Sequence, residues 1–330
     1  MDETVTGILA ADPEPLIGSF LQAMYAWGIA VIRGIQSIES APLTAVMKVI
    51  TALGTEVFYV PVILVVFWCV SEKRGLRLAL LIIMSAWINL VFKELLQQPR
   101  PFTIDPSLGL AVESTYGAPS GHAQMSLSFW IPTAVWLGAL RPKLKPIAWT
   151  AAIFIIALIG FTRLYLGVHF PTDLVAGWLV AGIILAVFFT IIPRIEKPLA
   201  NGGIRAQNIS AACIALLMNG VFPQERALPA AFLGFCLGYT LMKQRFPFCA
   251  RENSSIRIML FRCIVGFFGI IAVYVTLRLI LPSEASLLRD LPMMGKSSPL
   301  YDLAYFIRYG AVGFWASAGA TLVFRRIGLA

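Results

Sequence analysis

Apolar runs long enough to cross a bilayer recur along almost the whole of this chain, separated only by short polar islands. A hydrocarbon layer about 30 Å thick needs roughly 20 predominantly apolar residues per helix, and inside it every backbone N–H and C=O must be satisfied within the protein. The chain is therefore read as all-α, a polytopic membrane helix bundle. Composition agrees: of 330 residues, 58% are hydrophobic and 13% charged, and that charge is about half the share usual in a soluble domain. Spanning helices are expected near 57–71, 75–92, 123–140, 146–161, 174–193, 208–222, 227–243, 258–281 and 303–324, with the weakest signal at 208–222. Ahead of them, residues 14–38 are moderately apolar but interrupted by Gln22 and Arg33, which suits a helix lying in the interface better than a crossing.

The net charge of +9 sits in short loops rather than along one polar face, so membrane orientation explains it better than nucleic-acid binding. Lys73, Arg74 and Arg77, then Arg141, Lys143 and Lys145, then Arg194, Lys197 and Arg205 fall on one side of the expected bundle. Lys243, Arg245, Arg251, Arg257, Arg325 and Arg326 follow on the same side, provided that 208–222 spans. By the positive-inside rule that side is cytoplasmic, and mixed-charge loops such as Ser283 to Asp302 are extracytoplasmic. Cys69, Cys213, Cys236, Cys249 and Cys263 show no paired spacing and lie mostly in apolar segments, so no disulfide is expected. Asp2 and Glu3 open a segment without the basic region of a cleaved secretory signal.

Only two histidines occur, His122 and His169, each in a polar island beside fixed cations. The islands run from Lys93 to Pro101, from Pro119 to His122 and from Arg163 to Asp173, and all three fall on the side opposite the basic loops. A phosphate monoester carries close to two negative charges, and its transfer spreads charge over three oxygens, so a site must offer several fixed donors at once. Lys93, Arg100 and Arg163 are the candidates, since a guanidinium forks onto phosphate oxygens and an ammonium is a compact charge. Any one of them alone would read as a cation snorkelling from a helix end; three beside both histidines do not. Ser120 can cap the helix that follows it, and the N–H groups at that helix start can face an anion, although a plain capping turn has the same appearance.

His169 and Asp173 are four apart at a helix start, a spacing that lets the carboxylate hold one imidazole nitrogen and leave the other as a nucleophile. Asp173 could equally be a simple helix cap, but an ionisable group at a membrane helix end beside a histidine points to function. A leaving alkoxide needs a proton, and His122 is the remaining candidate acid, then the base for water attacking a phosphohistidine. No metal and no cofactor are expected, because two histidines and few carboxylates make a thin ligand set and the cations would repel a metal ion.

Lys93 with Arg100-Pro101, Pro119-Ser120-Gly121-His122, and Arg163 with His169 and Asp173 resemble the three-part signature of the type 2 phosphatidic acid phosphatase family, which also includes the vanadium haloperoxidases. The resemblance implies a six-helix phosphatase core, with residues 1–195 as one membrane-embedded unit and 196–330 as a C-terminal transmembrane extension. It counts the 14–38 segment as the first core helix. It implies metal-independent dephosphorylation of lipid phosphates through His169, with Lys93, Arg100, Ser120, Gly121 and Arg163 on phosphate, His122 as acid and Asp173 orienting His169. Thr162 departs from the family's usual serine and keeps a hydroxyl.

The expected protein is thus an integral membrane phosphatase acting on a lipid phosphate or pyrophosphate, in a bacterial inner membrane, with its site on the extracytoplasmic face. Two other readings stand beside it. A lipid phosphotransferase would use the same site with a hydroxyl acceptor, and a transport or scaffold protein could retain this core without catalysis. Gly234, Gly238, Gly266 and Gly269 give spacings that suit close helix packing, within the chain or in a homo-oligomer.

Overall fold

The computed structural model describes residues 16–250, 254–282 and 299–329, and all regular structure among them is helical. The elements are α1 (Leu16–Gln36), α2 (Ala41–Ala52), α3 (Glu56–Val65, prolonged by the π-helical turn Val66–Val70), α4 (Glu72–Leu96), the single turn α5 (Pro101–Ile104), α6 (Gly121–Leu140) and α7 (Lys145–Tyr165). There follow α8 (Pro171–Thr190), α9 (Ile192–Asn201), α10 (Gly203–Val221), α11 (Ala227–Arg245), α12 (Ile256–Ile280), α13 (Pro299–Phe314, prolonged by the π-helical turn Trp315–Gly319) and α14 (Ala320–Arg326). Asp2 and Glu3, residues 14 and 15, Arg251, and residues 283–298 of the mixed-charge loop lie outside the described residues.

Each expected crossing is helical, and the start of α10 moves furthest, from 208 to 203. Among the described residues, four helical stretches are long and apolar enough to cross a membrane: 72–104, 142–165, 171–190 and 256–280. Helix α2, which the sequence reading did not anticipate, joins α3 at a bend of 43° to make a fifth. Helix α6 is less apolar because Gln124, Ser126 and Ser128 are buried on it, facing other helices rather than lipid. Helix α10 buries Ala211, Ala215 and Met218 chiefly against α11, in a cluster that Leu80, Ile83, Met84 and Trp87 of α4 also border.

Local chemistry sets the helix ends. The Ser71 hydroxyl accepts the Arg74 N–H at the start of α4, and Gln97 closes that helix in the left-handed region at φ 46°. Ser120 caps α6, Ser255 caps α12, and Pro171 occupies the first turn of α8, where no N–H is needed. Lys73, Arg74 and Arg77 start α4, and Arg141, Lys143 and Lys145 surround the α6–α7 turn, so the basic residues gather at one end of the bundle. There Glu196 of α9 pairs with Arg77 and Lys73.

Helix α1 lies across the other end. Tyr25 meets Phe170 and Gln98, Arg33 pairs with Asp105 at 2.7 Å, and the Gln36 amide donates to the carbonyls of Leu108 and Tyr165. Those partners all belong to loops and helix termini at that end, so α1 covers it rather than running alongside the spanning helices.

The C-terminal helices share a core with the rest. Phe67 and Trp68 of the first π-helical turn pack in one buried cluster with Phe235, Phe248, Ala316 and Phe324. The Trp68 indole donates to Ala316 O at 2.8 Å, the Trp315 indole to Gly266 O at 3.2 Å, and the buried Arg262 guanidinium to Trp68 O at 2.9 Å. The four glycines singled out in the sequence lie at these contacts: Gly234 faces the Gly310 backbone, Gly238 faces Ser317, Gly266 faces Trp68 and Gly269 faces Trp315, each with no room for a Cβ. Their packing is within the chain. Replacing Gly234 with leucine must separate α11 from α13, and thermal unfolding of the purified protein in detergent should show a loss of about 1–3 kcal/mol or more.

Candidate active site

The last turn of α4, the segment 97–120, the first turn of α6, the last turn of α7 and the loop 166–170 meet at the end of the bundle that α1 covers. Every residue expected at the site arrives there. Lys93 is on α4, Arg100 precedes α5, Ser120 caps α6 with Gly121 and His122 next, Arg163 closes α7, His169 is in the loop and Asp173 is on the first turn of α8. Lys93, Arg100, Ser120, Arg163, His169 and Asp173 are buried.

His169 is held from two sides. Its Nδ1 is 3.2 Å from Asp173 Oδ2, which also accepts the Phe170 N–H at 2.9 Å. With Nδ1–H donating to that carboxylate, Nε2 keeps its lone pair, and Arg100 Nη1 approaches it at 3.3 Å. The Asp173 carbonyl in turn accepts the Ser120 N–H at 2.9 Å, fastening α8 to the start of α6. Burial, followed by the charges of Arg163, Arg100 and Lys93, holds the His169 imidazole well below its ordinary pKa. The ring is therefore neutral near pH 7. His122 is close enough for its charge to act on His169, and its own ring lies against Gly54, where a Cβ would come within 2.8 Å.

Glu113, which the sequence reading did not single out, ties the cations together. One of its carboxylate oxygens accepts from Arg163, the other from Arg100 at 2.7 Å, and the second stands 4.0 Å from His169 Nε2. An anion thus already sits where two guanidinium groups converge in front of the free imidazole nitrogen. Thr51 of α2 takes Arg163 Nη1 at 2.8 Å, and the Thr115 hydroxyl takes Arg100 Nη2 at 3.0 Å. Lys93 donates to the carbonyls of Tyr116 and Gly117, which secures the strap carrying Glu113. The Thr162 hydroxyl is engaged by Ile159 O at 2.6 Å.

A buried polar ladder behind the site was also not legible as such. Asn89 donates to Pro119 O at 3.2 Å and to Gln124 Oε1 at 2.8 Å, Gln124 donates to Ser85 O at 2.7 Å, and Ser85 meets Ser128 at 3.0 Å. It fixes the start of α6 against α4 one turn before Lys93. Its members sit at helical spacing inside apolar runs, and that inward-facing spacing is the only sequence signal they carry.

Two outcomes follow from this geometry. Asn89→Leu removes both donors to Pro119 and Gln124 and should cost about 1–3 kcal/mol in thermal unfolding, with loss of any activity that depends on His122 placement. Glu113→Gln removes a charge that competes with any bound oxyanion, so calorimetric titration with vanadate should show binding about ten-fold tighter than in the unaltered protein. Equal or weaker binding would mean that the carboxylate does not occupy the oxyanion position.

Comparison with known proteins matches residues 74–197 to the PAP2 superfamily and residues 227–330 to the transmembrane extension of PAP2 superfamily phosphatases. The chain is 31% identical over 144 residues to an undecaprenyl-diphosphatase of Sulfolobus acidocaldarius, covering 43% of this chain and 66% of that protein. It is 30% identical over 169 residues to phosphatidylglycerophosphatase B of Bacillus subtilis, covering 49% and 80%. It is 26% identical over 164 residues to mouse sphingosine-1-phosphate phosphatase 1, covering 48% and only 37%. A solved transmembrane PAP2 type phosphatidylglycerolphosphate phosphatase from Bacillus subtilis aligns over 53% of this chain and 87% of its own, at 31% identity and a TM-score of 0.45. The chain is an integral membrane protein and belongs to the PAP2 superfamily.

Proposed function

We propose that this protein is a membrane phosphatase that transfers the phosphoryl group of a lipid phosphate or lipid pyrophosphate to His169 and then to water. The observation that carries the reading is the seat between Arg100 and Arg163, filled by a carboxylate 4.0 Å from the unprotonated Nε2 of His169. A phosphate there would displace Glu113 and present its phosphorus to that nitrogen. The N–P bond forms as the ester P–O bond breaks, and His122 supplies the proton that the leaving oxygen needs. Asp173 steadies the charge that His169 gains. In the second half His122 takes a proton from water, whose oxygen attacks phosphorus and frees the histidine.

Lys93, Arg100 and Arg163 bring fixed positive charge to the transferring group, with the N–H groups of Gly121 and His122 at the start of α6 as further donors. In this scheme no step requires a metal ion. The relatives named above as phosphatases of lipid phosphates and diphosphates support the substrate class. The cations gathered at the opposite end support an extracytoplasmic site in a bacterial cytoplasmic membrane.

Phosphate release by the purified protein in EDTA, across phosphatidate, phosphatidylglycerol phosphate, undecaprenyl pyrophosphate and a sphingoid base phosphate, tests the reading. His169→Ala should lower kcat by roughly a thousand-fold or more; substantial turnover by a folded variant would remove His169 from the role. The pH profile is a separate check. Because His169 is depressed, it gains its inactivating proton only at low pH, so its acid limb in kcat/KM, corrected for substrate ionisation, should lie well below the ordinary histidine value. A limb at the ordinary histidine value would contradict the buried, neutral ring.

A further inference from the structure

The C-terminal extension reaches the site through one side chain. A cavity of about 610 Å³ opens beside the Arg100–Arg163 seat, with Lys93, Arg100 and Glu113 on its inner wall and Leu90, Tyr116 and Phe222 farther out. Among the described residues that line it, Phe222 alone lies outside the segment 90–116. Its placement follows from the helix that carries it. Ala211, Ala215 and Met218 form the buried stripe of α10, packed chiefly against α11, and Phe222 is the next position at that spacing. On α4, Ile83 and Trp87 border the same apolar cluster, and Leu90 and Lys93 follow at helical spacing and line the cavity. Helix α10 ends at Val221, Phe222 leaves helical geometry at φ −137° and ψ 80°, and Phe222 lines the cavity.

We infer that Phe222 is a specificity-determining residue, its ring packing with Leu90 against the hydrocarbon portion of a lipid phosphate whose phosphate occupies the Arg100–Arg163 seat. This deepens the phosphatase reading and rests on it. A phosphate group fills only a small part of such a cavity, and the remaining space must take the group esterified to it. The inner wall is charged and polar, suited to a headgroup; Leu90 and Phe222 supply the apolar surface that a chain requires once it leaves the headgroup. The extension thus contributes to substrate choice while the reacting groups stay on the core.

The test compares kcat and KM of the full-length protein for long-chain and short-chain phosphatidate in mixed micelles. Phe222→Ala should raise KM for the long-chain lipid about ten-fold, leave kcat near that of the unaltered protein, and change the short-chain KM little. Phe222→Leu, which keeps an apolar wall, should shift the same ratio in the same direction by less, and it serves if the alanine variant does not fold. A long-chain to short-chain ratio unchanged in both variants, or an equal loss on both substrates, would overturn the inference alone. Absence of turnover by the unaltered protein on either lipid would overturn the phosphatase reading and this inference with it.

Discussion

Three cations buried together in a charge-poor bundle can persist only against negative charge, and the site end of this protein is arranged around that requirement. Removing an ion from water costs several kcal/mol even after relaxation, and like charges close together add to it. Asp173 and Glu113 provide the compensation in the structure as it stands, the first through its charge near Lys93 and Arg100 and the second directly on Arg100 and Arg163. The two carboxylates differ in kind. Asp173 is locked by the Phe170 N–H and by the fastening of α8 to α6, whereas Glu113 reaches the two arginines from a strap between helices. In the proposed function this is the seat that phosphate takes over from Glu113.

Much of the surrounding fold keeps that cluster in register. The ladder from Ser128 through Gln124 to Asn89 holds the start of α6 one turn from Lys93, α1 closes the end of the bundle over the 98–108 and 165–170 loops, and α2 brings Thr51 to Arg163. The extension is fused to this assembly through the π-helical turns that carry Trp68 and Trp315, and through the apolar cluster that α10 and α11 share with α4. Its helices therefore act as part of one packed body with the core.

The residues that meet at this end were legible because charge is scarce here: in a bundle of apolar helices, a histidine or arginine between two runs stands out. Their spacing along helix ends then predicted the contacts seen between His169 and Asp173. Glu113 was not legible, since a single acidic residue in a loop looks like any solvated charge until its two arginine partners are placed. Asn89, Gln124 and Ser85 were hidden inside runs read for average hydropathy, where polar residues facing inward are indistinguishable from noise. Helix α2 escaped because Thr44, Lys48 and Thr51 dilute its hydropathy and Gly54 interrupts the run before α3. Phe222 closes the weakest of the expected helices, and nothing in its own stretch of sequence points to Lys93.

The central claim is that the phosphoryl group passes through covalent attachment to His169. The most direct measurement uses His122→Ala with p-nitrophenyl phosphate, whose leaving group needs no proton, so that attachment proceeds while hydrolysis, deprived of its base, is slow. Alkaline quenching and mass spectrometry should then find a phosphohistidine at position 169, present in His122→Ala and absent when His169 is also replaced. Phosphate released without any phosphorylated enzyme, or phosphate found on another residue, would contradict the account.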